Sequence, residues 1–213
     1  MPRVARIELL TSAASGAGLP RDGLAQVALV GRSNVGKSSL INALTRSRVA
    51  RTSAAPGKTR LLNVYRVEAP GFAPPRFHLV DLPGYGYARG GAAAAAGFDR
   101  LVGEYFALPP AGRGAPAGVA QGPSAVVLLV DARHPGLAAD VTAMEWLALQ
   151  GRPVLAAASK IDKLTRAERQ RAERDWTTAL NVPVLPVSAA TGEGLDQLWT
   201  QISRLLSNRP SPR

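Results

Sequence analysis

The chain has no cysteine and only two histidines, His78 and His134. The first absence excludes disulfides, cysteine-ligated zinc, iron–sulfur clusters and a thiol nucleophile. The second excludes a multi-histidine metal site within one chain. Aromatic residues make up 5% of the total and much of the 46% hydrophobic content is alanine, so the expected core is aliphatic and lean. With 19% charged residues over 213 positions the chain can still bury a core, and its length suits one domain. No apolar run approaches the ~18 residues of a membrane-spanning helix. Arg3 and Arg6 precede Ile7, but Glu8 interrupts and the apolar run ends at Leu10, too short for a signal peptide. The expected compartment is the cytoplasm.

Acidic residues are also scarce: fifteen stand against twenty-six basic ones, a net charge of +11. Such a balance draws the protein toward polyanions. Between Asp22 and Glu68 there is no carboxylate at all, while Arg32, Lys37, Arg46, Arg48, Arg51, Lys58, Arg60 and Arg66 fall in that interval. A phosphate-facing surface is the reading that this block supports. Lysine occurs only at positions 37, 58, 160 and 163, and every other basic residue is arginine. A chain so biased keeps lysine where a compact ammonium on a flexible stem is needed.

The pattern of apolar runs predicts an irregular leader over residues 1–25, then strands over 26–31, 60–68, 77–81, 124–131, 153–159 and 184–187. Helices are expected over 38–46, 99–108, 138–150 and 165–180. A last helix carries Leu195, Leu198, Trp199, Ile202, Leu205 and Leu206 at helical spacing, a stripe that docks on the sheet with Trp199 in the core. Residues 109–123 (PPAGRGAPAGVAQGP) have almost nothing to bury and read as a mobile surface loop, and residues 207–213 as a disordered tail. Strands alternating with helices mean an α/β domain over 26–206, with six strands in a mostly parallel sheet covered on both faces.

Gly31-Arg32-Ser33-Asn34-Val35-Gly36-Lys37-Ser38 fits G-x-x-x-x-G-K-[ST], after a buried strand and at the opening of a helix. Its glycines let the backbone wrap a phosphate, so that amide groups and the helix N-terminus face the anion. Lys37 is placed to reach the β- and γ-phosphates, and the Ser38 hydroxyl to ligate Mg²⁺. Asp81-Leu82-Pro83-Gly84 ends a later strand, so Asp81 can hold the magnesium through a water and Gly84 can offer its N–H to the γ-phosphate. Ser159-Lys160-Ile161-Asp162 follows the next buried strand. Guanine presents two adjacent donors, N1–H and N2–H₂, which one carboxylate, Asp162, can accept together. Adenine has an acceptor at N1 and leaves that carboxylate unpaired. The stem of Lys160 can lie over the base plane. Val187-Ser188-Ala189, after the last strand, can offer a backbone N–H to guanine O6. Asp162 therefore argues against an ATPase or kinase.

In this order the motifs resemble those of the translation-factor-related class of small GTPases across residues 26–206. Within it GRSNVGKSSLINAL, the APGKT of 55–59, DLPGYGYA at 81–88 and the DARHP of 131–135 are similar to the EngB/YihA/YsxC family of bacterial GTP-binding proteins. That resemblance implies a three-layer, Ras-like P-loop GTPase fold with the 60–68 strand antiparallel at the sheet edge. It adds Ser39, Gly57 and Lys58 to the nucleotide contacts and makes Thr59 the switch residue that meets Mg²⁺ when GTP is bound. Lys37, Thr59 and Gly84 then become the catalytic set. It also implies a role in large ribosomal subunit assembly and normal septation, with the subunit or its rRNA as partner and the protein acting as a monomer. The alternative is a GTP switch whose main partner is a division or membrane-associated protein.

Two departures bear on chemistry. The base motif begins with Ser159 where the broad pattern has asparagine, so selectivity is expected through Asp162 with weaker affinity. Ras-type enzymes place a water-orienting glutamine after D-x-x-G, where this chain has Tyr85, so slow intrinsic hydrolysis is expected. Related GTPases with a P-loop asparagine can use potassium as an electrostatic partner, which makes Asn34 a candidate ligand. No appended RNA-binding domain is expected after Ala189, so Arg46, Arg48, Arg51 and the basic leader are the expected rRNA contacts. Arg166, Arg169, Arg171 and Arg174 are interleaved with Glu168, Glu173 and Asp175 and read as a solvated face.

Overall fold

The computed structural model describes residues 4–50, 61–86, 91–112 and 118–207. The expected Gly57, Lys58 and Thr59 contacts, Arg51, and the tail beyond Ser207 lie outside the described residues. The strands are β1 (Arg6–Ala13), β2 (Gln26–Gly31), β3 (Leu62–Glu68), β4 (Arg76–Asp81), β5 (Ala125–Asp131), β6 (Val154–Ser159) and β7 (Val184–Pro186). The helices are α1 (Lys37–Thr45), α2 (Gly91–Ala107), α3 (Ala138–Ala148), α4 (Arg166–Leu180) and α5 (Leu195–Ser207). Among the described residues the strands form one sheet in the order β1-β3-β4-β2-β5-β6-β7. It is mostly parallel, with antiparallel pairings of β3 to β1 and β4 at one edge.

The sheet has seven strands rather than the six expected, because part of the leader is not irregular. β1 pairs with β3 from Arg6↔Glu68 to Ala13↔Leu62, with a bulge between Leu9 and Thr11. Its polar residues conceal it in the sequence, but in the sheet they find cross-strand partners. Glu8 lies opposite Arg66, their charged groups 3.6 Å apart.

β2 and β5 are buried along their whole length, which is why they read as unbroken apolar runs. Alternate residues feed two cores. On one face Val27, Leu29, Val127 and Leu129 pack with Leu40 and Leu44 of α1 and Leu198, Trp199 and Ile202 of α5. On the other, Ala28, Val30, Val126 and Leu128 pack with Tyr105 of α2, Leu147 of α3 and Trp176 of α4. Trp199 is core as expected, its indole donating to the Leu44 carbonyl at 3.1 Å.

Two further expectations change. α2 begins at Gly91 rather than at 99, so the run of alanines at 92–96 is helical, as the high helix propensity of alanine favours. The described parts of the 109–123 loop are pinned rather than loose. Gly122 donates to Pro109 O at 2.8 Å, Gly112 to Gly23 O at 3.2 Å and Gly118 to Arg21 O at 2.9 Å, and Ala111 and Gln121 are buried. A Cβ at Gly122 would stand 2.5 Å from the Tyr105 carbonyl oxygen, so this close approach requires glycine.

His78 on β4 is fully buried, with Nε2 3.3 Å from the Asp22 carboxylate. Burial outweighs the attraction of Asp22 and holds the imidazole below its ordinary value. The unfolded chain therefore takes up the proton first as pH falls. Stability is expected to decline from about pH 6.5 downward until the lowered native value is reached. Thermal melts at pH 7.5 and 5.5 check this, and His78→Gln should remove that part of the decline.

Candidate functional site

Register aligns the strand ends that carry the motifs. Gly31 of β2 is level with Leu129 of β5, Asp131 of β5 with Ser159 of β6, and Leu29 of β2 with Asp81 of β4. The carboxyl ends of four adjacent strands thus open on one side, where ligands bind in open α/β sheets.

The turn after β2 is built by close approach. A Cβ on Gly31 would lie 2.5 Å from Leu129 O and 2.9 Å from Val35 Cγ1. Asn34 and Gly36 both adopt left-handed backbone, at φ 61° and 111°. The loop then enters α1, whose first residues are Lys37, Ser38 and Ser39. Lys37 is buried and donates from Nζ to the carbonyls of Gly31 at 2.9 Å and Arg32 at 3.2 Å. Burial holds its ammonium below the ordinary value, against the opposing pull of Asp81. The Ser38 hydroxyl donates to Asp81 Oδ2 at 2.8 Å. Asp81 Oδ1 is buried and has no hydrogen-bond partner among the described residues, and burial raises this carboxyl above its usual range. At the far end of α1, Asn42 clamps Ala50 by a reciprocal pair of 2.8 Å hydrogen bonds.

Leu82 and Pro83 are buried, and Gly84 lies so close to the loop that a Cβ there would stand 2.5 Å from Ser33 N. Ser33 N–H donates to Tyr85 O at 3.1 Å.

The base-motif residues converge on the same mouth. The Ser159 hydroxyl lies 2.8 Å from Val35 O and 3.0 Å from Val130 O, so Ser159 ties β6 to the turn after β2. Lys160, at φ 63°, reaches back with Nζ to Asn34 O at 2.7 Å and Asp131 Oδ2 at 2.9 Å. Ile161 is buried beneath, and Val187 N–H joins the end of β7 to Ala158 O at 2.8 Å. Ser188 donates from Oγ to Asp162 Oδ1 at 2.7 Å and accepts from the Ala190 and Thr191 N–H groups. This hydrogen bond holds the Asp162 carboxyl below its usual range. Ala189, partly exposed, follows at the mouth.

Sequence reasoning missed two residues. Asp131 receives Nε and an η nitrogen of Arg133 at 2.9 and 2.8 Å as well as Lys160. Burial alone would raise it, but these donors outweigh burial and hold it ionised well below the usual range. Asp140, fully buried in the first turn of α3, accepts from Arg32 Nε at 3.1 Å and from the Tyr85 hydroxyl at 2.7 Å. In the sequence Asp131 stands out only as the first residue of the DARHP segment, with no role assigned to it; no local signal marks Asp140.

Comparison with known proteins agrees with this geometry. A family model described as 50S ribosome-binding GTPase matches residues 26–160. The probable GTP-binding protein EngB of Pelotomaculum thermopropionicum is 41% identical over 207 residues, covering 95% of this chain and 96% of that protein. The chain belongs to the EngB family of GTPases. The EngB protein of Chlorobaculum tepidum is 42% identical over 188 residues, covering 87% of this chain and 89% of its own. A crystal structure of a probable EngB superposes with a TM-score of 0.63 at 25% identity, covering 87% of this chain and 100% of that one. Aquifex aeolicus Era, crystallised with GDP and aluminium fluoride, shares the fold at a TM-score of 0.66 and 21% identity over 88% of this chain and 57% of its own. As an EngB-family protein the chain is a guanine-nucleotide-binding GTPase, and among its described residues no helix is long and apolar enough to cross a membrane.

Proposed function

We propose that this EngB-family GTPase is a slow GTP-hydrolysing switch of the cytoplasm that serves assembly of the large ribosomal subunit and, through it, normal septation. The observation that carries the reading is the match to a 50S ribosome-binding GTPase family over the segment that holds the P-loop, Asp81 and Lys160. The basic surface supports it: Arg46 and Arg48 are exposed beside the start of residues 51–60. Contact with rRNA made by such residues weakens steeply with salt.

In the proposed mechanism the amides from Asn34 to Ser39 cradle the phosphates at the N-terminus of α1. Lys37 leaves its carbonyl partners for the β- and γ-phosphates, Gly84 N–H meets the γ-phosphate, and Thr59 completes the catalytic set. Asp162 takes the two guanine donors, with Lys160 over the base and Ala189 N–H at O6. A divalent cation fits beside Ser38 and Asp81, because Asp81 Oδ1 is a buried acceptor without a hydrogen-bond partner among the described residues. Ser38 and Thr59 would hold Mg²⁺ directly and Asp81 through water. When bound, the ion would supply charge neutralisation on the β- and γ-phosphate oxygens. Tyr85 offers no amide to orient the attacking water, hence the slow free-state turnover.

Asn34, exposed and in left-handed backbone, is the proposed potassium ligand. Turnover is expected to be faster in potassium than in sodium buffer at equal ionic strength, and equal rates would remove that assignment.

Conditional depletion followed by sucrose-gradient profiles tests the function. An immature large-subunit particle should accumulate before septation fails. A normal particle profile with blocked septa would reject this reading and favour a division partner.

A further inference from the structure

Asp140 sits in the first turn of α3 with none of its side chain exposed, far in sequence from the two groups that it binds. Its Oδ1 accepts from the Tyr85 hydroxyl at 2.7 Å and from Arg32 Nε at 3.2 Å, and its Oδ2 accepts from Arg32 Nε at 3.1 Å. Burying a carboxylate is costly unless charge and hydrogen bonds compensate. Here one guanidinium and one phenol offset part of that cost, and burial still raises the Asp140 carboxyl above its usual range. The side-chain clamp lies over a backbone one. Arg32 and Tyr85 form a parallel β-bridge, Ser33 N–H donates to Tyr85 O at 3.1 Å, and Gly84 is pressed against Ser33. The residue that follows, Gly86, is exposed and has φ 73°.

We infer that Asp140 is a positioning residue for GTP hydrolysis, joining Arg32 of the P-loop and Tyr85 into one rigid post that holds Gly84 in register with the phosphate cradle. Residues 82–85 are then held against the P-loop as one piece. A donor held in place before the reaction needs no reorganisation as charge develops on the γ-phosphate. Tyr85 has a structural part on this account. Its hydroxyl is committed to Asp140, and burial together with the Asp140 charge pushes its ionisation far above the ordinary value, so it serves neither as water guide nor as base. The inference rests on the proposed Gly84 contact. Gly84→Ala, whose Cβ would crowd the Ser33 backbone, should slow hydrolysis whether or not Asp140 positions that contact, and hydrolysis at wild-type rate in that variant would remove the contact itself.

The test is a double-mutant cycle with Tyr85→Phe, Asp140→Asn and the pair, read by single-turnover GTP hydrolysis and by fluorescent GDP affinity. Each single change should slow hydrolysis about tenfold, by misplacing a donor without removing it, and should leave GDP affinity within about threefold. The double variant should be no slower than the worse single one, because one unit has been broken twice. Hydrogen exchange over 82–86 should quicken in all three, while circular dichroism stays native. Tyr85→Phe slow with Asp140→Asn normal would assign the phenol a chemical role and overturn the inference. Additive losses, unchanged hydrolysis, or a parallel fall in GDP affinity and melting temperature would overturn it too.

Discussion

Replacing Asp162 by asparagine is expected to turn a guanine site into a xanthine site. Asp162 is a bare acceptor, held ionised by the Ser188 hydroxyl at 2.7 Å and lying 3.4 Å from Lys163 Nζ. On the proposed pose it faces guanine N1–H and N2–H₂, two donors for two lone-pair directions. Asparagine keeps one acceptor and turns the other position into a donor, which then opposes the guanine amino group. Xanthine carries N1–H beside a C2 carbonyl, so it restores both hydrogen bonds to asparagine. GTP affinity should fall roughly a thousandfold, the scale of loss when a site built for a polar group meets one that leaves its partners unmatched. Xanthosine triphosphate should then bind the variant better than GTP does. Titration of both fluorescent nucleotides against wild type and Asp162→Asn measures the reversal. A variant that loses both nucleotides equally would indicate a collapsed pocket, and one that keeps GTP would place the base elsewhere.

The second large effect belongs to Lys37. Its ammonium is buried on two loop carbonyls at 2.9 and 3.2 Å, and in the proposed mechanism it swings from them to the phosphates. Burial depresses its ionisation, so a polyanion gains both a charge partner and a proton held more firmly. Lys37→Ala should cost GTP binding about 3 kcal/mol, roughly a hundredfold, as for truncating one partner of a buried charge pair. The loss should be smaller for GMP, which lacks the phosphates that Lys37 reaches. Equal loss for GMP and GTP would mean that the loop itself had unfolded.

What was legible in the sequence was local. The P-loop, D-x-x-G and S-K-x-D segments declare themselves because each is a short spacing pinned to a strand end, and β2 and β5 because full burial leaves no polar residue to alternate. β1 escaped because an edge strand tolerates charge: Arg6 and Glu8, on one face of the strand, look like leader residues until Glu68 and Arg66 lie opposite them. The ends of the 109–123 loop escaped because glycine and proline report backbone freedom, whereas the hydrogen bonds from Gly112 and Gly118 to Gly23 and Arg21 are tertiary. Asp140 escaped for the same reason. In the sequence it is an acid in the first turn of a helix, and only the fold brings Arg32 and Tyr85 to it. Tyr85 was visible as a missing glutamine, but its partner was not.

The central claim is that the GTP state of this protein engages the large ribosomal subunit. Co-sedimentation with purified large subunits tests it most directly, with a non-hydrolysable GTP analogue, GDP or no nucleotide, at low and high salt. Retention with the analogue alone, lost at high salt, is the predicted result. Equal retention in all three states, or none in any, would contradict a GTP-gated ribosomal factor while leaving the GTPase itself intact.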